Sequence, residues 1–548
     1  MPGYFSLVLH AHLPFVRHPE HDRFLEESWL FEAITETYIP LLQMMDGWWR
    51  DGVDATFTLT LTPTLCSMLN DPLLRDRYTH RLEKLIELTE REVRRTRWDN
   101  TFHELARQYQ QRFIAIRETW LAHDRDLVCA FREFQDAGQL EIITCAATHA
   151  LLPLLVDHPP SLRAQILVAR DHYRACFGRD PRGIWLPECA YAAGVDTVLQ
   201  EADIRWFITD THGLLHARPK PRYGVFAPVF TPHGIAAFGR DRHSAEQVWS
   251  RDGGYPGDPR YRDFYRDIGF DLDFNYVQPA LPAPHLRGFT GIKYHRITGK
   301  AGEKQVYNHA DALRVADGHA EHFLADRRRQ FQRLGKVLDR PPLVVAPYDA
   351  ELFGHWWHEG PEFLNYFVRK AVYDQRDFTL ITPTEYLRAH PTQQVAQPAA
   401  SSWGEAGHWR VWLNETNEWI YPHLRIAQER MTALAQKFSW WGETPGEPGQ
   451  RGKISGTTAR EDSRPTELQQ RALAQAAREL LLAQASDWPF ILRSGTHADY
   501  ARQRVETHLL RFTALYEQLN GGEINEPALA EMEATDNIFT DVNPAYWA

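Results

Sequence analysis

Across the first 390 residues, short apolar runs alternate with longer amphipathic stretches, and several runs stop abruptly on polar side chains. That alternation is the mark of βα units and of a parallel sheet. The expected strands are Phe5–Leu9, Ala55–Leu61, Leu140–Thr144, Gly183–Leu186, Trp206–Thr209, Ile235–Phe238 and Leu343–Ala346, with Phe378–Ile381 a weaker eighth. No repeat period points to a solenoid.

The side chains that end these runs carry the functional signal. The first run ends in His10 and His12, and the third leads to Thr148 and His149. IWLP runs into Glu188, WFIT into Asp210, Thr211 and His212, and LVVAPY into Asp349, Glu351 and His355. A (β/α) barrel gathers the C-terminal ends of its strands on one face and builds its site there. A doubly wound open sheet also binds ligands at strand C-termini, so this pattern alone leaves both architectures open.

Residues 70–137 break the rhythm with charged, helix-period sequence and are expected to form a helical insertion. From about residue 397 the chain turns Trp-rich, then runs in long helical patterns. The expected division is a catalytic barrel over 1–396 and a helical domain over 397–548. The Gly-, Pro- and charge-rich stretch at about 442–465 buries little and is expected to be a mobile loop.

The net charge of −11 argues against nucleic acid or an anionic membrane as the main partner. The five cysteines have no CxxC spacing, which disfavours a disulfide framework and a structural zinc site. The apolar run Tyr4–Leu9 is too short for a signal peptide, and no segment is long enough to span a membrane. The expectation is a cytoplasmic protein. The 18 Trp, 21 Tyr and 28 Phe supply flat apolar faces of the kind on which pyranose rings stack.

Glu188 and Asp349 are the leading candidates for chemistry. Each follows an apolar strand beside aromatics: Trp185 and Tyr191 for one, Tyr348, Phe353 and Trp356 for the other. Two carboxylates across a barrel mouth are what glycoside chemistry needs, and apolar surroundings keep one of them protonated near neutral pH. The competing assignment is a pair of structural carboxylates, each capping a helix or paired with arginine. His10, His12 and His149 suit hydrogen bonding to sugar hydroxyls, a structural role, or metal ligation of the kind a deacetylase or zinc mannosidase would use. Trp403, Trp409, Trp412 and Trp419 fall within 17 residues, and the glycines of SSWG and GHW suit exposed, loop-borne indoles. Asp487, before Trp488 and Pro489, stands at a helix end.

HAHLPF, GQLEIITCAATHALLPLL, IWLPECAY, PYDAELFGHWW and ASDWPF, in this order, resemble the five motif regions of glycoside hydrolase family 57, and within it the 1,4-α-glucan branching enzymes. The stretch around YRDFYRDIG and the Trp-rich C-terminus look like the same group. The resemblance implies an incomplete (β/α)7 barrel with a helical insertion and a C-terminal all-helical domain. It also implies a retaining mechanism without metal or other cofactor, acting on an α-1,4-glucan in a monomer. Glu188 then matches the nucleophile and Asp349 the general acid/base. His10, His149, Trp403 and Asp487 match substrate contacts, and His12 and Trp412 are expected to bind substrate beside them. Arg266, with Arg262 as its alternative, and Gly288 match such contacts as well.

Transfer to a 6-hydroxyl would make α-1,6 branches. Transfer to a 4-hydroxyl would be glucanotransferase activity, and transfer to water amylase activity. A catalytically silent glucan-binding protein is the alternative of another class. One departure bears on this choice. Branching members carry a loop tyrosine after the nucleophile strand, and the corresponding window, Ile235–Gln247, holds Phe238 and no tyrosine.

Overall fold

The computed structural model of the chain describes residues 2–249, 253–299, 303–439 and 465–548. Ten strands lie among the described residues: β1 (Gly3–Ala11), β2 (Phe57–Leu61), β3 (Leu140–Ile143), β4 (Gly183–Ile184), β5 (Trp206–Thr209), β6 (Val229–Phe230), β7 (Ala236–Gly239), β8 (Leu343–Asp349), β9 (Phe378–Leu380) and β10 (Gln394–Val395). Strand β1 pairs in parallel with β2 and β8, β2 with β3, β4 with β5, and β5 with β7. Two single parallel bridges, Thr144 to Ile184 and Arg240 to Val345, join β3 to β4 and β7 to β8. The result is a ring of seven parallel strands, β1-β2-β3-β4-β5-β7-β8, stitched thinly at two seams.

Every expected run contributes a strand, Trp206–Thr209 with its expected bounds and the others with shifted ends. The last expected strand, β9, does not join the ring: it pairs with Gly3–Phe5 at the start of β1. Two strands have no counterpart in the expectation. The short β6 runs antiparallel to β7, and β10 lies parallel to β6. Both are two residues long, too short for alternation to register.

Val8, Ile143, Ile208, Phe238 and Val345 meet in one buried cluster with Trp185 and Trp206. They come from five different ring strands. The ring is a packed core, so the space for chemistry lies above it at the strand C-termini.

Between β2 and β3 the chain builds helices Pro72–Arg95, Asn100–Ala122 and Leu127–Asp136. Asp71, Asp99 and Asp126 each cap one of these by accepting backbone N–H groups. Helices Ile420–Ser439, Glu467–Ala483, Asp487–Ser494, Ala498–Gly521 and Glu526–Thr535 form the C-terminal part. Apart from Pro465, the loop expected at about 442–465 lies outside the described residues.

The segment 394–403 is tied to the barrel by its backbone. Ala399 N–H donates to Gly213 O, Ser401 exchanges bonds with Tyr191, and Trp403 N–H donates to Glu188 O at 3.0 Å. The boundary expected at 396/397 falls inside this strip. The helices dock beside it: Ser486 N–H donates to His149 O at 3.2 Å, and Gln165 Nε2 donates to Gln484 Oε1 at 2.9 Å. No helix among the described residues is long and apolar enough to cross a membrane.

Candidate active site

Parallel pairing puts His10 level with Asp349, so the last residues of β1 and β8 open on the same face. Three residues there hold left-handed backbone without being glycine: His149 (φ 58°), Glu188 (φ 61°) and Cys189 (φ 50°). Such conformations cost about 1 kcal/mol or more each and concentrate at functional sites. At Glu188 the turn follows β4 directly. It is held by Cys189 N–H to Leu186 O, Ala190 N–H to Pro187 O and the Trp403 bond.

Trp403 also reaches Glu188 through its side chain, donating from Nε1 to Oε2 at 2.6 Å. His149 Nδ1 lies 4.0 Å from the other oxygen, Oε1. His149 is itself fixed by Ser486 Oγ at 2.9 Å and by His10 Nε2, 3.1 Å from its Nε2. The His10 ring lies flat against Trp185, with centroids 4.4 Å apart.

His12 bridges the two parts of the molecule. Its Nε2 lies 3.0 and 3.2 Å from the two Asp487 oxygens, and its Nδ1 lies 3.1 Å from Thr62 Oγ1. A carboxylate only accepts, so His12 Nε2 carries a proton toward Asp487.

Asp349 stands differently. Among the described residues its carboxyl has no hydrogen-bond or ion-pair partner, and charged groups surround it. Glu351 accepts from Tyr38 Oη at 2.6 Å and from His12 N–H at 3.2 Å. Arg240, from the end of β7, donates to Asp210 at 3.3 Å and lies over the Trp403 ring at 5.3 Å.

Burial dominates the electrostatics. It pushes Glu188 up to about 7, against the Trp403 hydrogen bond, with the Asp487 charge adding to the rise. Burial, then the charges of Glu351 and Glu188, raise Asp349 well above the carboxylate range, opposed by Arg240. Burial also holds His10 and His149 well below the ordinary histidine value, so both are neutral near pH 7.

Five expected residues thus meet around Glu188: His10, His12, His149, Trp403 and Asp487. Three others are elsewhere. Trp412 is a correction: its indole is buried beside Leu151 and Ala190, and a side chain at Gly404 would collide with it. The neighbouring glycine makes room for a packed ring here instead of exposing one. Arg266 is half exposed and pairs with Asp271 at 2.8 Å. Gly288 is packed against Pro282, with its carbonyl against Gly269. Among the described residues no hydrogen bond or ion pair joins Arg266 or Gly288 to Glu188 or Asp349. Arg262, the alternative, is buried between Glu36 and Glu359.

The window Ile235–Gln247 forms β7 and most of the helix Arg242–Trp249, with Phe238 inside the ring. Trp249, just past it, is 44% exposed and stacks on Trp403 with centroids 6.0 Å apart. The next tyrosine, Tyr255, packs against Phe363 and bonds His322 at 2.8 Å.

Arg240, Tyr38, Thr62 and Ser486 escaped the sequence reading. Arg240 had the right signal, a polar side chain directly after an apolar run. Tyr38 and Ser486 carry no local mark, because only tertiary structure brings them in.

His12, His149 and Asp487 offer ligand atoms within 4.8 Å of one another, as do His10, Cys145 and His149. The His12 and His149 rings are stacked at 3.8 Å and nearly parallel, at 11°. Lone pairs in parallel planes run side by side and do not converge on one ion. The set is arranged as a hydrogen-bonded stack.

A parallel ring with two raised carboxylates and a ceiling of indoles defines a class, the sugar-cleaving and sugar-transferring barrels. The family model for glycosyl hydrolase family 57 matches residues 6–399, and a model described as the C-terminal part of 1,4-α-glucan branching enzymes matches 453–547. The chain belongs to glycosyl hydrolase family 57, in its branching-enzyme group.

It is 32% identical to the 1,4-α-glucan branching enzyme TK1436 of Thermococcus kodakarensis, over 99% of this chain and 78% of that protein. The crystal structure of TK1436 superposes with a TM-score of 0.86 at 31% identity, over 100% of this chain and 97% of that one. An α-amylase, AmyC from Thermotoga maritima, superposes with a TM-score of 0.89 at 42% identity, over 100% and 99% of the two chains.

Proposed function

We propose that the protein is a retaining 1,4-α-glucan branching enzyme. Glu188 attacks the anomeric carbon of an α-1,4-linked glucose while Asp349 protonates the departing oxygen. A glucosyl–enzyme bond forms with inversion. Asp349 then takes the proton from a glucan 6-hydroxyl, whose oxygen attacks the same carbon and inverts it again, leaving an α-1,6 branch.

One observation carries this reading: two carboxylates on opposite strands of the ring, in different surroundings. Glu188 accepts an indole N–H, which favours its ionised, nucleophilic form. Asp349 has no donor and two carboxylate neighbours, which favour its protonated, acidic form. His10 and His149, neutral beside Glu188, suit contacts to hydroxyls of the bound sugar. No step needs a metal.

The identity to AmyC, described as an α-amylase, favours a second reading in which water replaces the glucan acceptor. Both use the same two acids, so the products separate them. Amylose incubated with the protein should gain α-1,6 anomeric protons by NMR with little increase in reducing ends. Reducing ends without new branches would make it an amylase. Shortened and lengthened linear chains without branches would make it a glucanotransferase. No loss of iodine colour would leave only glucan binding.

A further inference from the structure

Trp403 bonds the nucleophile, and its ring is already engaged. Its Nε1 donates to Glu188, the Trp185 ring meets it edge-on at 5.2 Å, and the Arg240 guanidinium lies over it at 5.3 Å. Trp249 stacks on it in turn, with 29° between the ring planes. Trp249 is the outer member of this set, and its indole is exposed. The aromatic surface left open beside the nucleophile therefore belongs to Trp249.

Its support is rigid. Trp249 ends the helix Arg242–Trp249, which grows straight out of β7, the ring neighbour of β8. The start of the helix is fastened to β8, the strand of Asp349. Asp241 N–H donates to Val345 O at 2.8 Å, and the hydroxyl of Tyr348, the residue before Asp349, donates to Ser244 O at 3.0 Å. The buried Arg327 clamps both ends of the helix, donating to Asp241 at 3.1 Å and to Gln247 at 2.9 Å. Trp249 thus stands between the strand of the acid/base and the indole over the nucleophile.

That side of the mouth has a defined use in a double displacement. The group that protonates the departing chain later deprotonates the acceptor, so leaving group and acceptor both occupy the acid/base side of the anomeric carbon. We propose that Trp249 is a specificity-determining residue of this site: its open indole face is the platform on which the acceptor glucose of an α-glucan stacks, holding that sugar against the glucosyl–enzyme in place of water. This role rests on the transferase reading above and deepens it. Water needs no platform to reach the anomeric carbon. An acceptor chain does, because its 6-hydroxyl has to be held within reach of that carbon, and an indole offers a flat apolar face to the ring that carries it. A sugar seated there also covers the approach that water would take.

Amylose digests of the parent and of Trp249 variants, scored by NMR for α-1,6 anomeric protons and by a reducing-end assay, test this. The measured quantity is the number of branches formed per reducing end released, which a general loss of activity does not move. Trp249→Ala should lower this ratio at least about fivefold, the loss of one aromatic stack. More amylose should recover part of it, as the weakened acceptor site fills again. Trp249→Phe keeps a flat ring and should restore most of the ratio. A Trp249→Ala ratio equal to that of the parent overturns the proposal even if both products fall, because the indole then only supports Trp403. A Phe variant as poor as the Ala variant overturns it too. A parent that releases reducing ends without forming branches defeats the branching reading itself, whereas a branching parent with an unmoved variant ratio defeats the role of Trp249 alone.

Discussion

Trp403 gives Glu188 one of the few stabilising contacts its anion has, and that contact holds down a pKa that burial raises. A hydrogen bond to a charged group is worth about 1.5–3 kcal/mol, or roughly one to two pH units. Trp403→Phe keeps a ring and removes the donor. The acid limb of kcat, set near pH 7 by the carboxylate pair, should then move up by at least about one unit. At pH 6 the variant should be about tenfold slower than the parent, with the gap closing as pH rises. An unchanged acid limb would mean that Glu188 is not the group that must ionise.

The same burial has a stability cost that runs with pH. Glu188 holds its proton up to about 7 in the folded chain against an ordinary value of 4.5. Between these values the folded state binds more protons than the unfolded state, so stability falls as pH rises through them. The full penalty is present above pH 7 and none of it below about pH 4. Glu188→Gln should abolish turnover and covalent trapping while glucan binding persists. At pH 8 it should also be more stable than the parent, by at most about 3 kcal/mol, and at pH 4 it should match the parent. Denaturant melts at the two pH values check this. A stability gain equal at both would point to packing instead of charge.

At the scale of elements, the site depends on a strip that no propensity rule describes. Residues 394–403 have almost no regular structure, yet they carry Trp403 to Glu188 by closing backbone bonds over the ends of β4 and β5. The strip sits hard against the short helix Thr211–Leu215. A Cβ at Gly213 would come 2.2 Å from Ser401 Oγ and 2.7 Å from Thr209 Oγ1. Gly213→Ala should therefore lift the strip and lower kcat at least about tenfold, with Glu188 still on its own turn. Adding Ser401→Gly removes the closer clash and should restore part of the loss. A double variant no better than the single one would show that the strip is not what moved.

This strip also marks how far the sequence could be followed. The ring strands were legible because each is a short run rich in apolar residues and buried along nearly its whole length, as strands buried on both faces are. Glu188, Asp349, His10 and His149 were legible because an ionisable side chain directly after such a run has few reasons to be there. Trp412 was misplaced because the glycine that makes room for its buried ring, Gly404, is eight residues away in sequence, and only the fold brings the two together. Asp487 meets His12 across 475 residues. Its helix-end position was visible, but its partner was not.

At the scale of the whole molecule, the C-terminal helices complete the mouth, and the chain's last residues hold them there. Ser486 and Asp487 belong to the helical part and fix His149 and His12 of the barrel. Far from the mouth, the turn Pro544–Trp547 lies against the barrel helix Pro159–Phe177. Arg163 donates to Tyr546 O at 3.2 Å and lies over its ring at 5.6 Å, and the Tyr546 hydroxyl donates to Asp171. Trp547 is completely buried among side chains that include those of helix Ile420–Ser439. Replacing a buried Trp by Ala costs about 3–5 kcal/mol, here at the joint between the two parts. Trp547→Ala should free the helical part before it unfolds the ring. Activity on amylose should then be lost at a lower temperature than the far-UV circular dichroism transition, and the KM for long glucans should rise as Asp487 and Ser486 leave the histidines. If activity and circular dichroism melt together, shifted equally from the parent, then the two parts fold as one cooperative unit and the tail stabilises the whole instead of aligning the mouth.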